Sequence, residues 1–366
     1  MNTFEMYLLL VFILSVVFGM AAQTSRFCLA GGLREAFSNQ SSHRLWTYLT
    51  AIAVAVVGVS FIESIQWVDL SGIKPNYRSE EFAYGRYIIG GFIFGLGMIL
   101  ATGCGMRNLV KMGQGSLKSI LLVLVMAITI YIMTKTSVYA EVFMPLVAPF
   151  SVSFTDAASQ DLGTLFLEFF NVGSLEGNRL IVAILIALPV LYFALKNPEF
   201  RKPRYLVSAL IVGLIITAGF YITGSDMGQA LIDEAEFMDS PPLGLGAQSY
   251  SFAAPMADAI YAAMNFDGLA VITFGVVAVI GLPIGAFLSS IVSKEFKVET
   301  GFTSTKNTLI GLLGAVFVGV GSVLAMGCSI GHGLTGISTL ALGSFLALFS
   351  IGLGAYVGLK LEPKFS

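Results

Sequence analysis

Long apolar runs separated by short polar stretches dominate this chain from its first residues to its last. A helix needs about 20 apolar residues to cross the hydrocarbon core of a bilayer, and about nine stretches qualify. They lie near residues 4–22, 45–64, 86–102, 117–133, 180–195, 205–223, 269–292, 308–326 and 340–359. Several end at glycine-rich breaks followed by about three helical turns, too short to span a bilayer, which reads as re-entrant half-helices. The pattern predicts an all-α integral membrane protein with about nine transmembrane helices and about four half-helices, forming a single membrane domain over 1–366.

Composition strengthens this reading. The chain is 56% hydrophobic and 11% charged, against about 25% charged in soluble domains. Acidic residues gather in two loops, one holding Asp226, Asp233, Glu234, Glu236, Asp239, Asp258 and Asp267, the other Glu141, Asp156, Asp161, Glu168 and Glu176. Basic residues gather instead around Arg26/Arg34/Arg44, Arg107/Lys111/Lys118, Lys196/Arg201/Lys202/Arg204 and Lys294/Lys297/Lys306. The positive-inside rule then predicts an outside N-terminus and a cytoplasmic C-terminus. One loop departs from the rule, because Lys74 and Arg78 fall outside, offset by Asp69, Glu80 and Glu81. The first span lacks the positive n-region of a cleaved signal peptide and reads as an uncleaved helix.

Two of the breaks repeat each other. Aligning Cys104 on Cys328 also matches Gly90 with Gly314, Gly95 with Gly319, Gly97 with Gly321, Leu100 with Leu324, Ala101 with Ala325 and Gly103 with Gly327. The predicted topology gives the spans before these cysteines opposite directions, which makes an inverted repeat. Residues 1–135 form the first copy, 136–204 a connecting segment and 205–366 the second copy. A weaker pairing sets Ser25 to Ala30 against Tyr250 to Pro255, so four short helices are expected to start near Leu29, Met106, Pro255 and Ile330. The paired glycines are expected to serve helix packing.

Broken backbone at membrane depth is tolerated where it is buried in protein or lines a cavity. Half-helix N-termini carry unpaired amide hydrogens and partial positive charge, which favour an anion. All three cysteines, Cys28, Cys104 and Cys328, stand at such breaks. A thiol is a weak donor and a soft, polarizable partner, suited to a substrate with exposed sulfur or selenium. It could instead become a reactive thiolate at a helix N-terminus, although a thiolate would repel a dianion. Candidate substrate-binding residues are Cys28, Cys104 and Cys328 with Gly103, Gly105, Gly327, Ser329, His332 and Arg26. Arg107 and Lys111 read as basic-side topology signals.

Ser25 to Gly32, Gly103-Cys104-Gly105 after a glycine-rich helix, and Gly327 to Gly331 together resemble the YeeE/YedE sulfur-transport family of bacterial inner membranes. The resemblance covers nearly the whole chain. It implies an hourglass-like fold of full and half helices, uptake of thiosulfate, a relay of thiol-to-sulfur hydrogen bonds at Cys28, Cys104 and Cys328, and a small cytoplasmic sulfur-carrier protein as partner. The family commonly has Asn where this chain has His332, and some branches are associated with selenium.

Other classes lack their parts. The chain has no phosphate-binding Gly-Lys-Ser/Thr loop. With two histidines and no paired-cysteine spacing, no metal site or other cofactor is expected, and no nucleic-acid partner. The rivals are a membrane sulfurtransferase, which needs a base to activate its thiolate, and a passive anion or selenium-species channel. The sequence is read as a transporter rather than an enzyme.

Overall fold

The computed structural model describes residues 2–365 except 39–41, 155–158, 171–172, 239 and 302–303; Asp156 and Asp239 lie outside the described residues. Nine helical stretches among the described residues are long and apolar enough to cross a membrane. They match the expected nine. Five begin the chain's spanning set: α1 (Thr3–Thr24), α3 (His43–Ser64), α4 (Tyr84–Leu100), α6 (Leu117–Lys135) and α9 (Leu175–Lys196). The others are α10 (Pro203–Gly224), α13 (Phe274–Val292), α14 (Thr305–Ala325) and α15 (Leu342–Phe365). Their outward faces are apolar, with Leu185 and Leu188 each 59% exposed, as a lipid-facing surface requires.

Short helices stand where the breaks predict them: α2 (Leu29–Phe37), α5 (Gly105–Gly113) and α12 (Ala254–Met264). Pro255 occupies the first turn of α12, where a missing amide hydrogen costs no helical bond. The fourth, Gly331–Gly336, departs from α-geometry and winds as a π-helix, with the Thr335 amide donating to the Ile330 carbonyl. Its three glycines offer little resistance to the wider turn.

Helix packing comes in matched pairs. Helix α1 packs on α13 as α10 packs on α3, and α4 on α15 as α6 on α14; α2 lies on α3 as α12 lies on α13. The α4–α14 contact is reciprocal at the level of single residues. A Cβ at Gly90 would run into Leu324 and Ala325, and one at Gly314 into Leu100 and Ala101. Likewise Gly97 faces Val318, and Gly321 faces Phe94. These are the glycines the internal alignment paired, and their absent side chains let two backbones touch.

Residues 136–204 contribute α7 (Met144–Val147) and α8 (Leu162–Phe170), besides α9, while α11 (Asp226–Ala235) makes a helix of the start of the acidic stretch that begins at Asp226, and Asp258 of that stretch lies on α12. A two-residue strand pair, β1 (Glu81–Phe82) with β2 (Val152–Ser153), ties residues 81–82 to the 136–204 stretch. Two charges read as loop signals are in fact buried. Asp161 is 0% exposed and takes two hydrogen bonds from Arg179, at 3.1 and 2.8 Å. Arg78 is not offset by Asp69, Glu80 or Glu81: it forks onto Glu63 at 2.6 and 2.9 Å, and Arg179 reaches the same carboxylate at 2.7 Å. The four charges cancel, which is what makes their burial tolerable. Burial alone would raise the Asp161 carboxyl, but the Arg179 hydrogen bonds, the Arg78 and Arg179 charges and the Thr164 hydroxyl outweigh it and hold the group well below the usual carboxylate range.

Candidate transport site

Each thiol follows the same local structure. The residue two positions earlier is left-handed in every case: Arg26 (φ 53), Thr102 (φ 54) and Met326 (φ 63). The next amide bonds back across the turn, from Phe27 to Ala22, Gly103 to Met98 and Gly327 to Ser322, at 2.9, 2.8 and 2.9 Å. This closes one helix as a Schellman cap and leaves the cysteine to begin the next. Cys28 is the N-cap of α2 and Cys104 of α5. All three cysteines are free and buried.

The caps also orient the thiols. The Gly31 amide donates to Cys28 Sγ at 3.4 Å, and the Gly331 amide to Cys328 Sγ at 3.3 Å. A sulfur that accepts from the backbone on one side leaves its S–H free to donate on the other. At Cys104 the corresponding Arg107 amide is close without closing a side-chain cap.

The four breaks converge. A Cβ at Gly105 would meet the Met256 methyl at 2.7 Å and the Phe252 carbonyl at 3.2 Å, so α5 begins against the Phe252 break. Ser251 Oγ lies 3.8 Å from Cys328 Sγ. Tyr48 sits within electrostatic reach of all three thiols, and its hydroxyl donates to the Ser329 carbonyl. Ser329 Oγ is beside the Cys104 thiol, yet has no partner in hydrogen-bond geometry. The Tyr77 hydroxyl, near Cys328, is buried and unpartnered too. Such groups carry a desolvation cost that a passing polar ligand would relieve.

His332 is fully buried, with Nε2 2.6 Å from the Ala325 carbonyl and Nδ1 3.0 Å from Ser344 Oγ. The carbonyl can only accept, so Nε2 carries the hydrogen and Nδ1 accepts from the serine. Both nitrogens are engaged. The ring packs under Gly327, where a Cβ would come within 2.8 Å of it. Asn108 stands at the matching place after Cys104, its amide donating to the Gly103 and Cys104 carbonyls at 3.0 and 3.1 Å. Gly103, at φ 149, has a conformation that disfavours any side chain.

Two cavities flank the thiols. One of about 680 Å³ is lined by Ser251, Pro255, Gly327, Lys74 and Arg86. The other, about 630 Å³, is lined by Arg26, Thr102, Arg107, Lys111 and Lys118. Arg86 lies near the start of α4 and Thr102 just past its end, so they open toward opposite ends of that helix. Arg26 is exposed in the second cavity rather than packed against Cys28. Among the described residues no cluster of side chains suits a metal ion.

The pattern characteristic of sulphur-transport proteins matches residues 24–357, a range that contains all three thiols. The chain belongs to the sulphur-transport family. Over 362 residues it is 27% identical to the thiosulfate transporter TsuA of Escherichia coli (strain K12), covering 94% of this chain and 91% of that protein. The thiosulfate transporter TsuA of Spirochaeta thermophila is 24% identical over 348 residues, 92% of this chain and 94% of its own length. Family membership makes this a membrane transporter and not an enzyme. Sequence reasoning overlooked Tyr48, Tyr77, Asn108 and Ser251. Asn108 had a signal, since the repeat that pairs Cys104 with Cys328 also pairs it with His332.

Proposed function

We propose that this protein carries thiosulfate across the bacterial inner membrane, passing it between neutral thiols. The supporting observation is the convergence of Cys28, Cys104 and Cys328 between two vestibules, with Sγ of Cys28 and of Cys328 accepting a backbone amide and so leaving S–H free to donate. Gly103, Gly105 and Gly327 let the breaks approach one another, Ser329 offers an unpaired hydroxyl beside Cys104, and His332 props the Cys328 turn. Arg26 attracts anions at the basic vestibule. With the N-terminus outside and the C-terminus cytoplasmic, the Ser251/Gly327 cavity is the entrance, and the anion meets Cys328 first. The basic vestibule is then the exit, facing the small sulfur-carrier protein that the family resemblance implies.

The matched helix contacts and the reciprocal glycine seam support 1–135 and 205–366 as inverted repeats, with 136–204 connecting them. Covalent sulfur transfer finds less support. With both nitrogens of His332 bound to protein, it offers no base to Cys328. Thiosulfate-dependent growth and labelled uptake in cells lacking their other thiosulfate and sulfate importers test the reading, with sulfate and selenium anions as competitors. No uptake of thiosulfate by a well-expressed protein overturns it.

A further inference from the structure

Arg107 is set apart from the other basic residues by its place in the turn just after a thiol break. The third residue after each thiol is Gly31, Arg107 and Gly331, so the Cys104 break alone of the three carries a cation there. Its stem folds back across Gly103: a Cβ on that glycine would lie 2.9 Å from Arg107 Cγ. The guanidinium is thus held at the break, within electrostatic reach of Cys28 and Cys104. Its Nη1 is shielded from solvent and has no hydrogen-bond partner.

Nothing nearby neutralises it. Among the described residues no carboxylate stands within ion-pair distance of Arg107. The acids of the same vestibule are otherwise engaged, Glu295 by Gln23 at 2.8 Å and Glu299 by Lys297 at 3.0 Å. Lys111 lines the same wall and spends its ammonium on Thr102. A guanidinium cannot shed its charge, and although Arg107 as a whole is half-buried, a charged donor atom shielded from water without an acceptor is costly. Such a group waits for an anion.

We infer that Arg107 forms a second anion-holding site, at the basic-vestibule end of the path and on the first turn of the helix that Cys104 caps. This rests on the transport reading. Its ligand is a tetrahedral oxyanion that presents two oxygens to the planar guanidinium fork. For thiosulfate, the sulfonate oxygens face Arg107 while the terminal sulfur faces the thiols. Sulfate has the oxygens but not the soft sulfur, so it occupies the Arg107 site without progressing along the thiols.

The test uses the full chain in membrane vesicles of both orientations, with labelled thiosulfate as the transported ion and sulfate as the competitor. Sulfate added on the basic-vestibule side is expected to inhibit, and Arg107→Met, which keeps the stem across Gly103, is expected to raise the half-inhibiting sulfate concentration about tenfold or more, as losing a charge-assisted hydrogen bond implies. Arg107→Lys should recover part of that loss. Arg107→Met should also slow thiosulfate flux, and recovery of both flux and sulfate inhibition by Arg107→Lys is a rescue that a merely structural role of the stem would not produce. Unchanged sulfate inhibition in a folded Arg107→Met protein overturns the proposal, as does equal sulfate inhibition from both sides in wild type. Should Arg107→Met not fold, Arg107→Lys and Arg107→Gln are compared in its place under the same criteria. Absence of thiosulfate flux in wild type instead overturns the transport reading, and binding of labelled sulfate to purified wild type against the variant then decides the site by itself.

Discussion

The hydroxyl of Tyr48 donates to the main-chain carbonyl of Ser329, so α3 grips the turn that presents Cys328 although the two residues are 281 positions apart. A side chain at Gly333 would collide with that hydroxyl, which gives the glycine its purpose. Tyr48→Phe keeps the ring against Phe27 and leaves the Ser329 carbonyl one remaining partner, the Gly333 amide. The loss of stability should be about 1 kcal/mol. Thiosulfate uptake should fall several-fold with expression unchanged, because the Cys328 turn loses its tether. Uptake equal to wild type would show that the tether is dispensable.

The cysteines can be separated by chemistry. Serine keeps a hydroxyl of similar shape but removes the soft sulfur contact, and alanine removes the donor. Alanine at Cys28, Cys104 or Cys328 should cut uptake at limiting thiosulfate roughly ten- to a hundred-fold, the value of one charge-assisted hydrogen bond. Folding should be near normal. Purified wild type exposed to thiosulfate should show no lasting mass increase at any of the three. Well-folded alanine variants that grow like wild type would make the thiols packing residues, and a stable persulfide passed to an acceptor would make the protein a sulfurtransferase.

Much of the fold was legible because lipid imposes long apolar runs, and the glycine pairs of α4 and α14 were legible because close helix packing leaves few alternatives. The short helices were readable from breaks at Cys28, Cys104 and Cys328. Pairings between distant side chains were not. Glu63, Arg78, Asp161 and Arg179 come from four separate stretches, and a lone arginine looks alike in a loop and in a buried cluster. Arg107 reads as a topology signal in the sequence for the same reason, and its place over Gly103 is visible in the fold alone. Tyr48 is one of several hydroxyls on α3, beside Thr47, Thr50, Ser60 and Ser64, and its role exists only once Ser329 is folded beside it.

The buried cluster carries a pH signature. Asp161 binds its proton in the folded protein at lower pH than in the unfolded chain. Its contribution is therefore complete above the usual carboxylate range and is lost as pH falls from about 4 toward the depressed folded value. Asp161→Asn should cost about 3 to 5 kcal/mol, since Arg179 keeps Glu63 but loses its other partner. Thermal melting of the purified protein should decline below pH of about 4 in wild type, and less steeply in the variant. Parallel declines would assign the acid sensitivity elsewhere.

Orientation is open to direct labelling. Asp233 on α11 and Lys202 just before α10 are both exposed. In a background with all three native cysteines replaced, a cysteine introduced at Asp233 should react with an impermeant reagent added outside intact cells. One at Lys202 should react after permeabilisation alone. Reaction at Lys202 in intact cells would reverse the topology and the direction in which the thiols are met.

The reciprocal seam of α4 and α14 limits how this protein can move. With Gly90, Gly97, Gly314 and Gly321 bringing main chain against main chain, α4 and α14 cannot be pressed closer together without overlap. The motion that admits an ion is then expected of the short helices and of the side chains at their breaks, not of α4 against α14. A covalent bridge engineered between α4 and α14, away from the thiols, should accordingly leave the turnover rate intact, whereas a protein that works by rocking its halves would be locked by it.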